Sequence, residues 1–208
     1  SEHGGTNSDT WRTQRNTRSI IFMNDAGAVV SNAQVTAFNS DGFDINWESG
    51  AATSLEINYL VMKVSGNIRL ENFDMISGTG NMSEAGVGFS GKYVMMFSRA
   101  GRGASAAVLS HNRITVGSAT SGTERGCVWA GSEDAAGTMT TARALTDSSV
   151  LLMCDELAVG SGSTVMLDCD FVDFHSDGFT LNRVTNPFSG DVSGANTSFV
   201  VIGDTIAF

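Results

Sequence analysis

Lysine is almost missing from this chain. Lys63 and Lys92 are the only two in 208 residues, and 22 acidic against 12 basic side chains give a formal net charge of −10. Such a surface offers no basic stripe to neutralise a phosphate backbone, which excludes sequence-independent nucleic-acid binding. Charge of either sign is scarce, 16% of residues against about 25% in ordinary globular chains. No stretch approaches 18 consecutive apolar residues, so no transmembrane helix and no membrane partner are expected. No charged-then-apolar segment of the signal type opens the sequence. The three cysteines, Cys127, Cys154 and Cys169, have no Cys-x-x-Cys spacing, and each sits in an apolar or alternating stretch. Buried thiols made in a reducing compartment are expected rather than a disulfide framework. Helical periodicity is also missing. Residues 104–109 and 134–144 contain alanine but no sustained 3.6-residue period, and glycine interrupts both regions.

Glycine (24 residues), serine, threonine and β-branched side chains are plentiful, while proline occurs once. This composition describes an all-β chain with many tight turns. A chain of this length buries roughly 70% of its unfolded surface and needs no covalent staples. Short strands are expected at 20–23, 34–38, 43–47, 55–61, 68–76, 93–97, 112–117, 126–130, 139–144, 150–154, 169–174, 179–181 and 198–202, with 78–91 as a turn-rich stretch. In 68–76, Ile68 and Leu70 alternate and a slip at Asn72 suggests a bulge before Phe73 and Met75. The spacing indicates a β-sandwich or jelly-roll-like fold.

The chain also repeats itself. Phe38-Asn-Ser-Asp-Gly-Phe-Asp-Ile-Asn46 matches Phe174-His-Ser-Asp-Gly-Phe-Thr-Leu-Asn182 in one register. Upstream, 19–25 resembles 149–155, and downstream 55–64 and 199–204 are apolar runs. Asp-Gly between alternating runs is a hairpin signal, because glycine supplies positive φ and aspartate tolerates it. The expected organisation is an N-terminal arm over 1–18, flexible or ordered by a partner, followed by one compact domain over 19–208. Within that domain, 19–63 and 149–204 are related units built on a duplicated hairpin. Phe38, Phe43, Phe174 and Phe179 flank the two turns and are expected to be buried.

Several segments together resemble a module common in tailed-bacteriophage genomes. They are 68–76, Thr79-Gly-Asn-Met-Ser83, Gly86-Val-Gly-Phe-Ser-Gly-Lys92 with the strand after it, and the closing Phe174–Arg183 motif. Residues 67–208 would span one such module and 19–63 its closing half again. Gly91 stands where that module has proline, Met82 where it has glutamine, and Arg183 where it has the tryptophan kept here as Trp47. The resemblance implies a virion-associated structural protein, made in the host cytoplasm, on the head as a decoration (cement) protein or on the tail. It implies no catalytic residues. Its partners would be further copies of itself, a trimer being favoured by analogy with lattice decoration proteins, and virion proteins such as the major capsid protein.

The residues point the same way. His3, His111 and His175 have no second ligand at zinc spacing. Asp168, Asp170, Asp173 and Asp177 lack the dense acidic spacing of an EF-hand. Adjacent acids such as Asp155-Glu156 and Glu133-Asp134 fall on opposite strand faces and make no hydrolytic dyad. Gly101-Arg-Gly103 is too short for a phosphate loop. No enzyme, metal or cofactor is expected. Trp11, Arg12, Arg15 and Arg18 on the arm are the expected assembly contacts, meeting acidic neighbours. The alternative is a lectin-like, host-glycan-binding module of a tail fibre, with Trp129 stacking on a sugar beside Glu133 and Asp134.

Overall fold

The computed structural model describes residues 11–12, 17–24, 28–50, 56–59, 61, 66–75, 78–99, 109–110, 112–132, 141–154, 165–185 and 196–203. Among these residues every regular element is a strand: β1 (Trp11–Arg12), β2 (Ile20–Met23), β3 (Val29–Phe38), β4 (Phe43–Ser49), β5 (Ile68–Asp74), β6 (Gly80–Ala85), β7 (Tyr93–Arg99), β8 (Leu109–Ser110), β9 (Asn112–Ala119), β10 (Arg125–Ser132), β11 (Thr141–Thr146), β12 (Leu151–Cys154), β13 (Val165–His175), β14 (Gly178–Thr185) and β15 (Asn196–Ile202). All pairings are antiparallel. The sheets run β11-β10-β9-β7-β15-β5, β12-β13-β14-β6 and β2-β3-β4, with a two-stranded β1-β8 ribbon. The fold is all-β and sandwich-like.

The six- and four-stranded sheets face each other across one apolar core. Val94 and Met96 of β7, Trp129 of β10 and Phe199 and Val201 of β15 meet Leu151, Met153, Leu167, Phe171, Phe179 and Leu181 from β12–β14. The two-residue period of a strand sends alternate side chains to opposite faces, so Val94, Met96 and Ser98 are buried while Phe97 between them is exposed. The rings of Phe73, Phe171, Phe179 and Phe199 cluster at the centre, with Phe179 and Phe199 edge to face at 5.1 Å. Edge-to-face contact sets the positive rim of one ring against the negative face of the other.

The core cluster draws only on residues 73–201. The sheet β2-β3-β4 contributes nothing to it, and its strands chiefly contact one another. This sheet nevertheless pairs as β12-β13-β14 does. Phe38–Phe43, Val35–Ile45, Gln34–Asn46 and Ala33–Trp47 are opposed in one hairpin. Phe174–Phe179, Phe171–Leu181, Asp170–Asn182 and Cys169–Arg183 are opposed in the other. The register shifts also coincide. Thr36 and Val172 are each skipped, a second shift follows Asn32 and Asp168, and a third falls before Met23 and Cys154.

Four expectations need correction. The sequence match set Ile20 against Val150, but the ladders set Ile20 against Leu151, since Ile20 opposes Ala33 as Leu151 opposes Cys169. Similar apolar runs slide easily in a sequence comparison, whereas pairing fixes which face each residue takes. Residues 80–85, expected to be turn, form β6 beside β14. Residues 56–59 and 61, expected to lie in a strand, carry no ladder. The slip at Asn72 is no bulge: β5 pairs with β15 without interruption, placing Phe73 and Met75 in the core and Ile68 and Leu70 on the outer face.

Candidate interaction site

Around the second Ser-Asp-Gly-Phe turn, the structure shows how a finished unit closes its hairpin end. Asp177 Oδ2 accepts the backbone N–H of Gly86 at 3.0 Å, and Oδ1 accepts that of Gly88 at 2.6 Å. The Val87 N–H donates to the Asp177 carbonyl at 3.1 Å. Presenting two amides to one carboxylate needs a turn of positive φ, and Gly86 and Gly88 take +90° and +86°. The turn carries Val87 into the core and seats Gly91 against the Phe174 ring, where a Cβ would lie 2.4 Å from Cδ1. Next to it, β6 runs so close to Gly178 that a Cβ there would meet the Glu84 carbonyl oxygen at 1.9 Å.

The amides of Gly88 and Gly86 hold the Asp177 carboxyl below its ordinary range. A carboxylate of depressed pKa contributes stability above its unfolded value, about 3.9, and that contribution is lost as pH falls through the lower folded value. Asp177→Asn should therefore be destabilising at pH 7. The gap to wild type should narrow steadily below about pH 4, as measured by urea midpoints across pH. A gap independent of pH would mean the clamp does not act through charge.

The first turn has the same register and, among the described residues, none of this closure. Among the described residues, no hydrogen bond or ion pair is made by the Asp41 carboxylate, no strand pairs with the outer edge of β4, and no atom lies within 4 Å of a Cβ on Gly42. Ser31 and Ala33 are buried, but toward the hairpin end Phe38 is 76% exposed. Burial of the four flanking rings was expected; only Phe179 is fully buried, Phe43 and Phe174 being partly so. A groove of about 370 Å³ opens here, lined by Ile20, Val35, Phe38, Phe43, Ile45 and Tyr59 among others. In the second unit the positions matching Ile20, Val35, Phe43 and Ile45 are Leu151, Phe171, Phe179 and Leu181, all in the core. Phe43 meets Tyr59 edge to face at 5.0 Å and 81°, as Phe179 meets Phe199 at 5.1 Å and 81°. Phe199 lies in β15, flanked by β5 and β7, whereas Tyr59 is 73% exposed and outside any strand.

The residues singled out from the sequence are scattered. Trp11 and Arg12 pair through the backbone with Ser110 and Leu109 of the same chain. Arg18 is engaged within the first unit, its Nε donating to Asn32 Oδ1 at 2.8 Å and its guanidinium forming an ion pair with Glu48. Arg15, Glu133 and Asp134 lie outside the described residues. Trp129 is 1% exposed, so the expectation of a sugar-stacking face on this ring is corrected: the inward parity of β10 places it in the core. Among the described residues, no three His, Cys, Asp or Glu side chains gather as metal ligands. Asp168 accepts the Ser149 hydroxyl at 2.6 Å, and Asp170 lies 3.8 Å from Arg125. Also among the described residues, no helix is long and apolar enough to cross a membrane.

The three thiols are free and buried. Burial pushes Cys127 up to about 11 and Cys169 up to about 12, and raises Cys154 as well. The reactive species is the thiolate. A thiol-modifying reagent at pH 8 should leave all three untouched in the native protein and modify all three in denaturant. Rapid native labelling of any of them would contradict the burial.

Sequence reasoning missed a second surface. Leu145, Val128, Val116 and Phe97 are cross-strand neighbours in one row over β11, β10, β9 and β7, on the outer face of the six-stranded sheet. All four are exposed, Leu145 by 80% and Val128 by 55%. Alternation marked these strands as two-faced, but both faces carry apolar residues, so no polar face distinguished the outside.

A scan against protein-family models, a search of curated proteins and a search of solved structures each found no match.

Proposed function

We propose that this chain is a non-enzymatic structural protein of a phage particle, a head decoration or tail-associated protein that acts by assembling with copies of itself and with other virion proteins. The observation that carries this reading is the exposed row Leu145–Val128–Val116–Phe97. A contiguous apolar row of this kind on a sheet face is the usual mark of a surface that is covered in the assembled state. The Gly-Val-Gly-Phe and Ser-Asp-Gly-Phe motifs add the phage resemblance, and the similar pairing of the two hairpin units supports their origin in a duplicated unit. Few charges and a net charge of −10 suit a particle exterior that stays soluble until it meets its lattice.

The test is a double variant, Val128→Asp with Leu145→Asp, studied by sedimentation equilibrium and by binding to purified particles. Both side chains are exposed, so the variant should keep its fold by circular dichroism. The expected result is a wild-type oligomer, most simply a trimer, that the variant reduces to monomer with lost particle occupancy. A wild-type protein that is monomeric and leaves particles unoccupied would overturn the reading.

A further inference from the structure

We propose that the hairpin end of the β2-β3-β4 unit is an acceptor site for a β-strand of another polypeptide, one with the chemistry of this chain's own β6 and the Gly-x-Gly turn after it. The proposal rests on strand register and not on the virion reading.

The second unit supplies the template. Its strand β14 takes β6 alongside, from Arg183 opposite Gly80 to Gly178 opposite Ala85. The following turn then gives two amides to Asp177 and one apolar side chain, Val87, to the core. The first unit keeps the edge strand and the carboxylate of that arrangement. β4 is an edge strand with its outer ladder positions open among the described residues. Asp41 stands at the position of Asp177, and the groove beside Phe43 lies on the sheet face whose counterpart in the second unit is covered by the core.

Gly42 adds an independent observation. At Gly178, whose φ is +158°, β6 approaches to within 1.9 Å of where a Cβ would be. At Gly42 nothing described comes within 4 Å, and its φ lies outside the left-handed region. A strand lying against β4 as β6 lies against β14 supplies the missing reason for glycine there.

The occupant is therefore an extended segment running antiparallel to β4, with a small residue opposite Gly42, then Gly-apolar-Gly to cap Asp41. Strand addition of this kind takes its affinity from main-chain hydrogen bonds and its selectivity from pockets for alternate side chains. A second copy of this chain is a poor donor, because its own β6 is held by β14 and its Gly86 and Gly88 amides are held by Asp177.

The probe is a synthetic peptide of residues 78–91, titrated into the full chain by calorimetry. The same segment is also tethered to the N-terminus through a Gly/Ser linker, to raise its effective concentration. Saturable binding is expected, or for the tethered form protection of β4 amides from exchange. Asp41→Asn should weaken either signal roughly tenfold, the scale of one lost charge-assisted hydrogen bond, since the amide keeps one acceptor oxygen. Gly42→Ala should abolish it while leaving the fold of the chain unchanged. A peptide carrying Gly86→Ala and Gly88→Ala should fail to bind. The proposal is overturned if neither peptide nor tethered segment engages β4, if engagement is indifferent to Asp41→Asn and Gly42→Ala, or if the peptide acts by dissociating a dimer held through β4.

Discussion

Phe179→Ala should cost about 3–5 kcal/mol of folding stability, the range for deleting a buried phenylalanine. Its ring is 0% exposed and packs on Phe73, Phe171 and Phe199 from both sheets, so truncation leaves a cavity that neither sheet can close without moving the other. Phe43→Ala removes the same atoms from the same place in the same hairpin register. Its ring is only partly buried, against Phe38 and Tyr59, so the expected cost is about 1 kcal/mol, the transfer share of a half-buried side chain. Urea unfolding followed by near-ultraviolet circular dichroism separates the two. Equal costs would mean that the first unit is as well covered as the second.

The second large effect comes from one methyl group. Gly178→Ala would place a Cβ 1.9 Å from the Glu84 carbonyl oxygen, and that oxygen belongs to backbone. Relief requires β6 to move away from β14 and loosens the Asp177 clamp on the following turn. Overpacking of this kind costs about 3 kcal/mol or more when the obstacle is main chain. Gly42→Ala, its counterpart, meets nothing within 4 Å among the described residues and should change stability by about 0.5 kcal/mol or less in either direction. Thermal unfolding of both variants beside wild type decides the point. A strongly destabilising Gly42→Ala would show that β4 is already covered within the isolated chain.

These contrasts explain what could be read from the sequence. The two hairpins were legible because an Asp-Gly turn between alternating runs is a local signal and local signals survive without context. β6 was not legible. Gly80-Asn-Met-Ser-Glu-Ala85 holds one large apolar residue, and its strand state comes from β14 alongside it. Residues 56–61 failed in the opposite sense: Ile57, Tyr59 and Val61 alternate like a strand, but a strand needs a neighbour, and their described part has none. Parity was harder still. A period of two says that Val128 and Trp129 face opposite ways without saying which way is in; the larger, more conspicuous ring proved to be core, and the exposed face belonged to Val128, Leu145, Val116 and Phe97. The candidate groove lay beyond sequence reading because it is a difference between two units whose local sequences agree. It emerges only when Asp177, Gly178 and Phe179 are seen to have strand and core neighbours without counterpart around Asp41, Gly42 and Phe43 among the described residues.

That difference is the central claim, and amide hydrogen exchange on the isolated chain tests it most directly. From Gly178 to Arg183, β14 is flanked by paired strands on both sides, β13 and β6, and this stretch should exchange slowly. Among the described residues β4 is paired only with β3, so alternate amides along 43–49, those pointing away from β3, should exchange fast while those between them are protected. Tyr59 and its neighbours should exchange fast, whereas β15 should be among the slowest segments of the chain. Uniform protection along β4, equal to that of β14, would contradict the account, because it would mean that the first unit is already complete.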